Sequence, residues 1–248
     1  MKRVLAGLLA LLGLAPTVQA GEVSVAVAAN FTAPMQKIAA AFEHDTGHKA
    51  VLAFGSTGRF YAQIRNGAPF HVLLAADDAT PLQLEREGQG VAGTRFTYAV
   101  GRLVLWSRQP GRVDAQGQVL KAGGFDRLAL ADPKLAPYGA AAIETLTRLG
   151  LLEQLKPKFV QGENIAQTYQ FVATQNVPLG FVALSQVYAD GHLSQGSAWV
   201  VPAGLHRPIR QDALLLARGQ GQPAALALLA YLRSEKARTI IRSYGYDF

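Results

Sequence analysis

The sequence predicts an α/β protein of two lobes, each a mainly parallel sheet flanked by helices. Three observations lead there. Apolar runs rich in β-branched residues alternate with segments of helical period, the pattern left by parallel strands and right-handed crossovers. The chain has 248 residues, half of them apolar, which allows one large core or two modest ones. Strands end repeatedly in small or polar residues where a helix begins. The stretch Glu22-Val-Ser-Val-Ala-Val-Ala-Ala-Asn-Phe-Thr-Ala-Pro-Met35 is the first case: its apolar run stops at Ala28-Ala29-Asn30, and a helical pattern follows within a few residues. The first amides of a helix lack intrahelical partners and carry the positive end of the macrodipole. A small anion can therefore rest there without any charged side chain. We expect several such junctions to converge on one oxyanion.

Residues 1–20 are set aside from the fold. Met1-Lys2-Arg3 is a basic start, Val4 to Ala15 is an uninterrupted apolar segment, and Val18-Gln19-Ala20 offers small residues for cleavage just before Gly21. The apolar run falls short of the roughly 20 residues that span a bilayer, so a signal peptide fits better than an anchor. The mature chain is expected in the periplasm, with no membrane insertion. There is no cysteine, so an exported domain must rest on its hydrophobic core, and thiol chemistry is excluded. Without Lys2 and Arg3, 22 basic residues face 17 acidic ones, a net charge of +5. These charges are scattered, which reads as a solvated surface and not as a nucleic-acid footprint.

The first helix is expected from about Ala33, with Met35, Ile38, Ala39 and Phe42 on its buried face and Gly47 as its stop. Strand Ala50 to Phe54 leads through Gly55-Ser56-Thr57-Gly58 into a second helix carrying Phe60 and Ile64. Pro69 to Ala76 reads as a third strand and Pro81 to Glu87 as a third helix. Tyr98 to Ser107 reads as one long strand, and the polar segment Arg108 to Gly117 after it as the passage into the second lobe. Leu128 to Asp132 is a strand, followed by a helix with Ile143, Leu146 and Leu149. Lys158 to Val160 is a short strand before a helix for which Asn164 is the N-cap candidate. Pro178 to Leu184, Ser197 to Val201 and Ile209 to Ala217 are later strands, the last returning to the first lobe. Helices Pro223 to Leu232 and Glu235 to Tyr244 close the chain.

With these residues assembled, the chain resembles the periplasmic molybdate-binding proteins of ABC importers over essentially its whole mature length. The carriers are Val-Ala-Ala-Asn-Phe-Thr-Ala-Pro-Met35, Phe54-Gly-Ser-Thr-Gly58, Gln63-Ile-Arg-Asn-Gly-Ala-Pro69, Leu130-Ala-Asp-Pro133, Pro137-Tyr-Gly139 and Pro178-Leu-Gly-Phe-Val182. The resemblance implies the type II periplasmic-binding-protein fold, closing on a tetrahedral oxyanion through neutral donors. It implies ligand contacts at Ala29, Asn30, Ser56, Thr57, Tyr138 and Ile165, the last through its backbone only. It implies molybdate, and tungstate with it, as ligand, with molybdenum held only as the oxyanion. The partner is the membrane permease of an ABC importer; no cofactor and no nucleic acid is implied, and the chain is expected as a monomer. Lobe 1 is placed at residues 21–99 plus 207–248 and lobe 2 at 100–206. The sequence departs from the family pattern at three places: asparagine at Asn30 where many members have serine, Ala183 where the best-known members have tyrosine, and His71 where aspartate is usual. Tyr138 is a candidate to replace the missing phenol.

Neutral donors also discriminate. Phosphate near neutral pH keeps a proton that a donor-only cavity leaves without an acceptor, whereas molybdate and tungstate carry none. Asp132 and Glu163 would weaken that selection if either faced the ligand. Capping is the competing explanation for Asn30, Ser56 and Thr57, and solvated helix faces for Arg59, Arg65 and Lys134. Alternatives are receptors for sulfate, thiosulfate, phosphate or ferric ion; the absence of an adjacent tyrosine pair speaks against iron. A secreted phosphoester hydrolase would need a base or metal set, and the histidines His44, His48, His71, His192 and His206 have no metal-binding spacing. No nucleophile elbow or phosphate loop occurs either, so no enzyme is expected.

Overall fold

The computed structural model describes residues 20–248. The signal peptide expected at residues 1–20 lies outside the described residues, apart from Ala20. From the N-terminal side, β1 (Glu22–Ala28) runs through a 3-10 turn (Ala29–Phe31) into α1 (Thr32–Thr46); β2 (Lys49–Gly55), α2 (Thr57–Arg65), β3 (Val72–Leu74), α3 (Ala79–Arg86) and β4 (Phe96–Gly101) follow. The second group comprises β5 (Leu103–Ser107), α4 (Val119–Ala122), β6 (Leu128–Ala131), α5 (Pro137–Arg148), α6 (Leu152–Leu155), β7 (Phe159–Gly162), α7 (Ile165–Ala173) and β8 (Gly180–Ala183). A small hairpin of β9 (Tyr188–Ala189) and β10 (His192–Leu193) precedes β11 (Ser197–Val200). The chain then returns through β12 (Ile209–Leu215) to α8 (Pro223–Leu232) and α9 (Glu235–Ser243).

These elements build two five-stranded sheets, ordered β2-β1-β3-β12-β4 and β11-β5-β8-β6-β7. Both are mixed. In the first, β1 pairs in parallel with β2 and β3, while β12 runs antiparallel to β3 and β4. In the second, β6 is parallel to β7 and β8, while β5 is antiparallel to β8 and β11. The strand that breaks the parallel pattern is in each case one by which the chain enters a sheet from the other lobe, β5 on the way out and β12 on the way back. Local strand–helix alternation does not report such a crossing.

The first lobe packs α1, α8 and α9 on one face of its sheet and α2 and α3 on the other. Met35, Ile38 and Phe42 on α1 are wholly buried, as their helical spacing demands, and each such burial is worth about 1.5–3 kcal/mol. Gly47 ends α1 in the left-handed conformation, φ 73°. The core of the second lobe continues across the boundary, because Ala28, Ala29 and Ala76 of the first lobe pack in one cluster with Ala136, Tyr138 and Ile165 of the second.

The structure corrects the expected strand at Tyr98 to Ser107. It is two strands in different sheets, β4 and β5, separated by Arg102, so the chain passes between lobes there and not in the Arg108 to Gly117 segment. β4 also stays in the first sheet through Gly101, two residues past the boundary drawn at 99. Both halves are mostly buried, so the apolar run gives no sign of the change of partner. β3 is shorter than expected because the backbone beyond Leu74 leaves the β1 ladder: the Ala75 amide donates to the Asp212 carbonyl, and the Ala76 amide donates to the Thr57 hydroxyl at 3.0 Å.

Candidate functional site

Four chain segments, each at the start of a helix, meet between the lobes. Ala29 and Asn30 form the turn that opens α1; Ser56 and Thr57 open α2; Ala136, Pro137 and Tyr138 open α5; Asn164 and Ile165 open α7. All six residues expected to contact a ligand line one small cavity here, and no charged side chain lines it. The free space among them is about 10 Å³, of the order of one water-sized sphere. Close approach at α5 needs a glycine: a methyl group at Gly139 would collide with the Ala131 carbonyl at the end of β6.

The individual side chains differ in what they offer. Ser56 stands at the N-cap of α2, yet its hydroxyl makes no capping bond; its Oγ is buried without a hydrogen-bond partner. That separates it from the capping explanation, because buried hydroxyls are almost always paired. The Thr57 hydroxyl accepts from the Ala76 amide and keeps its own proton to donate. Asn164 does cap its helix, accepting from the Gln167 amide at 3.0 Å. Pro137 supplies no N–H at the first position of α5, so that helix start presents the Tyr138 amide and phenol. Ile165 lines the cavity from the first position of α7, and its carbonyl accepts from Gln186 Nε2 at 3.0 Å.

Asn30 departs from expectation in detail. Its side-chain nitrogen donates to Gln211 Oε1 at 2.8 Å and to the Tyr246 hydroxyl at 2.9 Å, so both amide hydrogens are spent inside the protein. A buried polar group extends from it across the lobe boundary. The Ser185 hydroxyl donates to the Asn30 carbonyl at 2.8 Å, Tyr246 lies 3.0 Å from Ser185, and Gln211 Nε2 donates to the Tyr138 hydroxyl at 3.0 Å. Tyr98 reaches both the Ala75 carbonyl and Gln211. Burial pushes the Tyr138 and Tyr98 phenols well above their ordinary range and Tyr246 to about 12, so all three stay neutral donors. Tyr138 is 1% exposed. Ala183 is buried at the end of β8 and does not line the cavity, whereas Tyr138 at the start of α5 does.

The acidic and basic residues nearby are engaged elsewhere. Asp132 accepts from the Lys134 amide at 2.9 Å, and Glu163 pairs with Arg59 at 2.9 Å; neither lines the cavity. Arg65 pairs with Glu87, and Lys134 is exposed. Among the described residues, no arginine lines the small cavity. The Arg59–Glu163 pair joins α2 of the first lobe to the α7 loop of the second, and beside it the Gly58 amide donates to the Leu135 carbonyl at 3.0 Å. Together they span the rim of the cleft. A wider cavity of about 440 Å³, sharing Ala76, Ala136 and Pro137 with the small one, opens toward Asp77, Thr80, Glu144 and Arg207. Among the described residues, no group of three or more His, Asp or Glu could hold a metal ion, and no helix is long and apolar enough to cross a membrane.

Gln211, Tyr246, Ser185 and Tyr98 escaped sequence reasoning. They carry no motif, and their significance arises only when strands and the C-terminal segment far apart in the chain come together.

Comparison with known proteins agrees with this geometry. The sequence profile of the bacterial extracellular solute-binding proteins matches residues 23–247. The chain is 62% identical over 233 residues to the molybdate-binding protein ModA of Azotobacter vinelandii, covering 94% of this chain and 92% of that one. It is 53% identical over 235 residues to the ModA of Rhodobacter capsulatus, covering 95% and 92%. A solved structure of an Azotobacter vinelandii periplasmic molybdate-binding protein superposes with a TM-score of 0.88 at 39% identity, covering 91% of this chain and 99% of that one. A two-lobed α/β architecture, a cleft floored by helix starts and a profile match over nearly the whole chain lead to one conclusion: this protein belongs to the family of bacterial extracellular solute-binding proteins.

Proposed function

We propose that this chain captures molybdate, and tungstate with it, in the periplasm and presents it to the permease of an ABC importer. The observation that carries the reading is the Ser56 hydroxyl, buried without a partner in an uncharged cavity where four helices begin. A tetrahedral dianion supplies the acceptor that this hydroxyl lacks. It also draws on the Thr57 and Tyr138 hydroxyls and on first-turn amides at Ala29, Asn30, Tyr138 and Ile165. Relatives at 62% and 53% identity named molybdate-binding proteins support the choice of oxyanion. Because Asn30 spends its side-chain hydrogens on Gln211 and Tyr246, its contribution is its backbone amide.

Selection follows from the donor set. With Asp132 and Glu163 outside the cavity, no carboxylate there takes the proton of hydrogen phosphate; only hydroxyls that would otherwise serve as donors could accept it, which disfavours that ligand. The lobes move as a hinge about the two crossings, Arg102 and the segment 201–208, and the ligand favours closure because only the closed form lets both lobes touch it. Seating an anion wider than the present free space moves the donors outward. The ligand leaves chemically unaltered, with no cofactor; the mature chain starts after Ala20 and works as a monomer.

Thermal unfolding with an oxyanion panel tests this. A ligand that binds only the native state stabilises it by RT ln(1 + [L]/Kd), so molybdate and tungstate should each raise the melting temperature by several degrees while sulfate and phosphate leave it near the unliganded value. Equal shifts with sulfate or phosphate would overturn the assignment.

A further inference from the structure

The buried polar group behind the cavity leaves little freedom in where its protons lie. The Tyr246 oxygen sits 2.9 Å from the Asn30 carbonyl, 3.0 Å from Ser185 Oγ and 2.9 Å from the Asn30 side-chain amide, and Ser185 Oγ is itself 2.8 Å from the same carbonyl. If the Asn30 amide turned its oxygen to Tyr246, four oxygen–oxygen contacts would share two hydroxyl protons. With its nitrogen there, one contact is supplied by the amide and three contacts share the two protons. The nitrogen orientation leaves fewer oxygens opposed without a proton. That nitrogen also lies 2.8 Å from the Gln211 amide, which must answer with its oxygen, and Tyr98 at 3.1 Å offers a second donor to the same atom. Gln211 Nε2 is thereby turned to Tyr138, donating to its hydroxyl at 3.0 Å.

From this we infer that Gln211 is a positioning residue that sets Tyr138 as a donor to the bound oxyanion. The inference rests on the reading of the cavity as an oxyanion site. The Tyr138 oxygen accepts from Gln211, so its own proton is left for another acceptor: the Tyr246 phenol beside it, or an oxyanion in the cavity that Tyr138 lines, whose charge makes it the stronger of the two. Had Gln211 offered an acceptor, Tyr138 would have given its proton to the protein and shown lone pairs to the ligand, a preference opposite to the one an unprotonated dianion needs. Two features hold the pair. Gln211 is wholly buried on β12, beside the irregularity at which Gln211 pairs with Ala99 and Asp212 with Thr97, leaving Tyr98 as the extra residue of β4. Gly101 leaves the space in which the Tyr138 hydroxyl and Gln211 Nε2 meet, since a methyl group there would overlap both. The contact crosses lobes, α5 being in one and β12 in the other.

The test is a double-mutant cycle on molybdate affinity by titration calorimetry, with Gln211→Met, Tyr138→Phe and the double variant, alongside melting temperatures of the unliganded proteins. Tyr138→Phe should weaken binding roughly 10-fold or more, as loss of a hydrogen bond to a charged group does. Gln211→Met should weaken it several-fold in the wild-type background and not at all in the Tyr138→Phe background. A residue that merely fills the floor of the lobe would weaken binding equally in both backgrounds, and equal losses overturn the inference. So does wild-type affinity in Gln211→Met alone. If Gln211→Met does not fold, Tyr98→Phe removes one of the two donors on Gln211 Oε1; a smaller loss that vanishes with Tyr138→Phe is expected, and an additive one overturns the inference. Absence of any molybdate binding by the wild-type protein is a different result: it removes the proposed function, and with it the premise, before Gln211 is questioned.

Discussion

Ser56→Ala should move stability and affinity in opposite directions. The hydroxyl is buried and has no partner, and a buried polar group left unpaired costs about 1–3 kcal/mol. Alanine keeps the Cβ and removes only the oxygen, and no capping bond is lost, because Ser56 makes none. The unliganded variant should therefore be more stable by about 1 kcal/mol or more, a rise of roughly 2–4 °C in melting temperature per kcal/mol for a chain of this size. Binding should suffer. A hydrogen bond to a charged acceptor contributes about 1.5–3 kcal/mol, so molybdate affinity should fall roughly 10- to 150-fold. Melting curves with and without molybdate, joined to a titration of Kd, report both effects. Without ligand the variant melts above wild type; at a fixed excess of molybdate its advantage shrinks or reverses, because each tenfold loss in affinity removes about 1.4 kcal/mol of ligand stabilisation. A variant that melts lower without ligand and binds molybdate as wild type does would refute the reasoning, by showing that the hydroxyl supports the fold and not the ligand.

Other outcomes follow from the same geometry. Arg59→Gln breaks a half-exposed pair that joins the lobes, so molybdate affinity should drop no more than about fivefold, given the roughly 0–1 kcal/mol such pairs contribute, and the loss should shrink at high salt. Gly101→Ala pushes a methyl group into Tyr138 and Gln211; it should lower both melting temperature and affinity, in contrast to Ser56→Ala, as unfolding and titration will show. Burial raises the Asp77 carboxyl above its ordinary range, so the folded protein holds that proton more tightly than the unfolded chain. The group's contribution to stability is then full below the unfolded value of about 3.9 and is lost as pH rises through the raised folded one. Asp77→Asn, which keeps the acceptor for the Thr80 amide, should thus gain melting temperature over wild type near neutrality and lose that gain in acid.

Much of this was legible because the informative features are local. A strand that stops, a small or polar residue and a helical period within a few positions are a short-range signal that marks the junctions at Ala29-Asn30 and Ser56-Thr57; Tyr138 and Ile165 are legible only through the resemblance to molybdate-binding proteins, and all six line one cavity. The buried side of α1 was legible for the same reason. What was not legible depends on partners distant in the chain. Tyr98 to Ser107 reads as one strand because a buried strand looks alike whichever sheet it joins, and only pairing with β12 or β8 divides it at Arg102. Gln211 looks like any polar residue on a strand until Asn30, 181 positions away, and Tyr138 close around it. His71 shows the same. Standing where aspartate is usual, it accepts from the Ser24 amide through Nδ1 at 3.2 Å, a bond between residues 47 positions apart that the sequence does not announce.

The distribution of polar groups explains how a site without positive side chains can bind a dianion and also release it. Donors from first-turn amides need no side-chain ordering, so their share of the binding energy is set once the helices are in place. The side-chain donors divide by lobe: Ser56 and Thr57 belong to the first, Tyr138 to the second, and the second lobe's phenol is oriented by Gln211 of the first. If the cleft opens as proposed, Tyr138 parts from Gln211 and from the ligand together, so the loss of one donor's orientation would coincide with the loss of the contacts it serves. An arginine would keep its attraction across an open cleft, since charge acts over several ångströms, whereas a hydrogen bond fails within a fraction of one. A permease that pulls the lobes apart would therefore meet a site whose hold on the anion collapses steeply, and neutral donors shared between two lobes serve both selection and delivery.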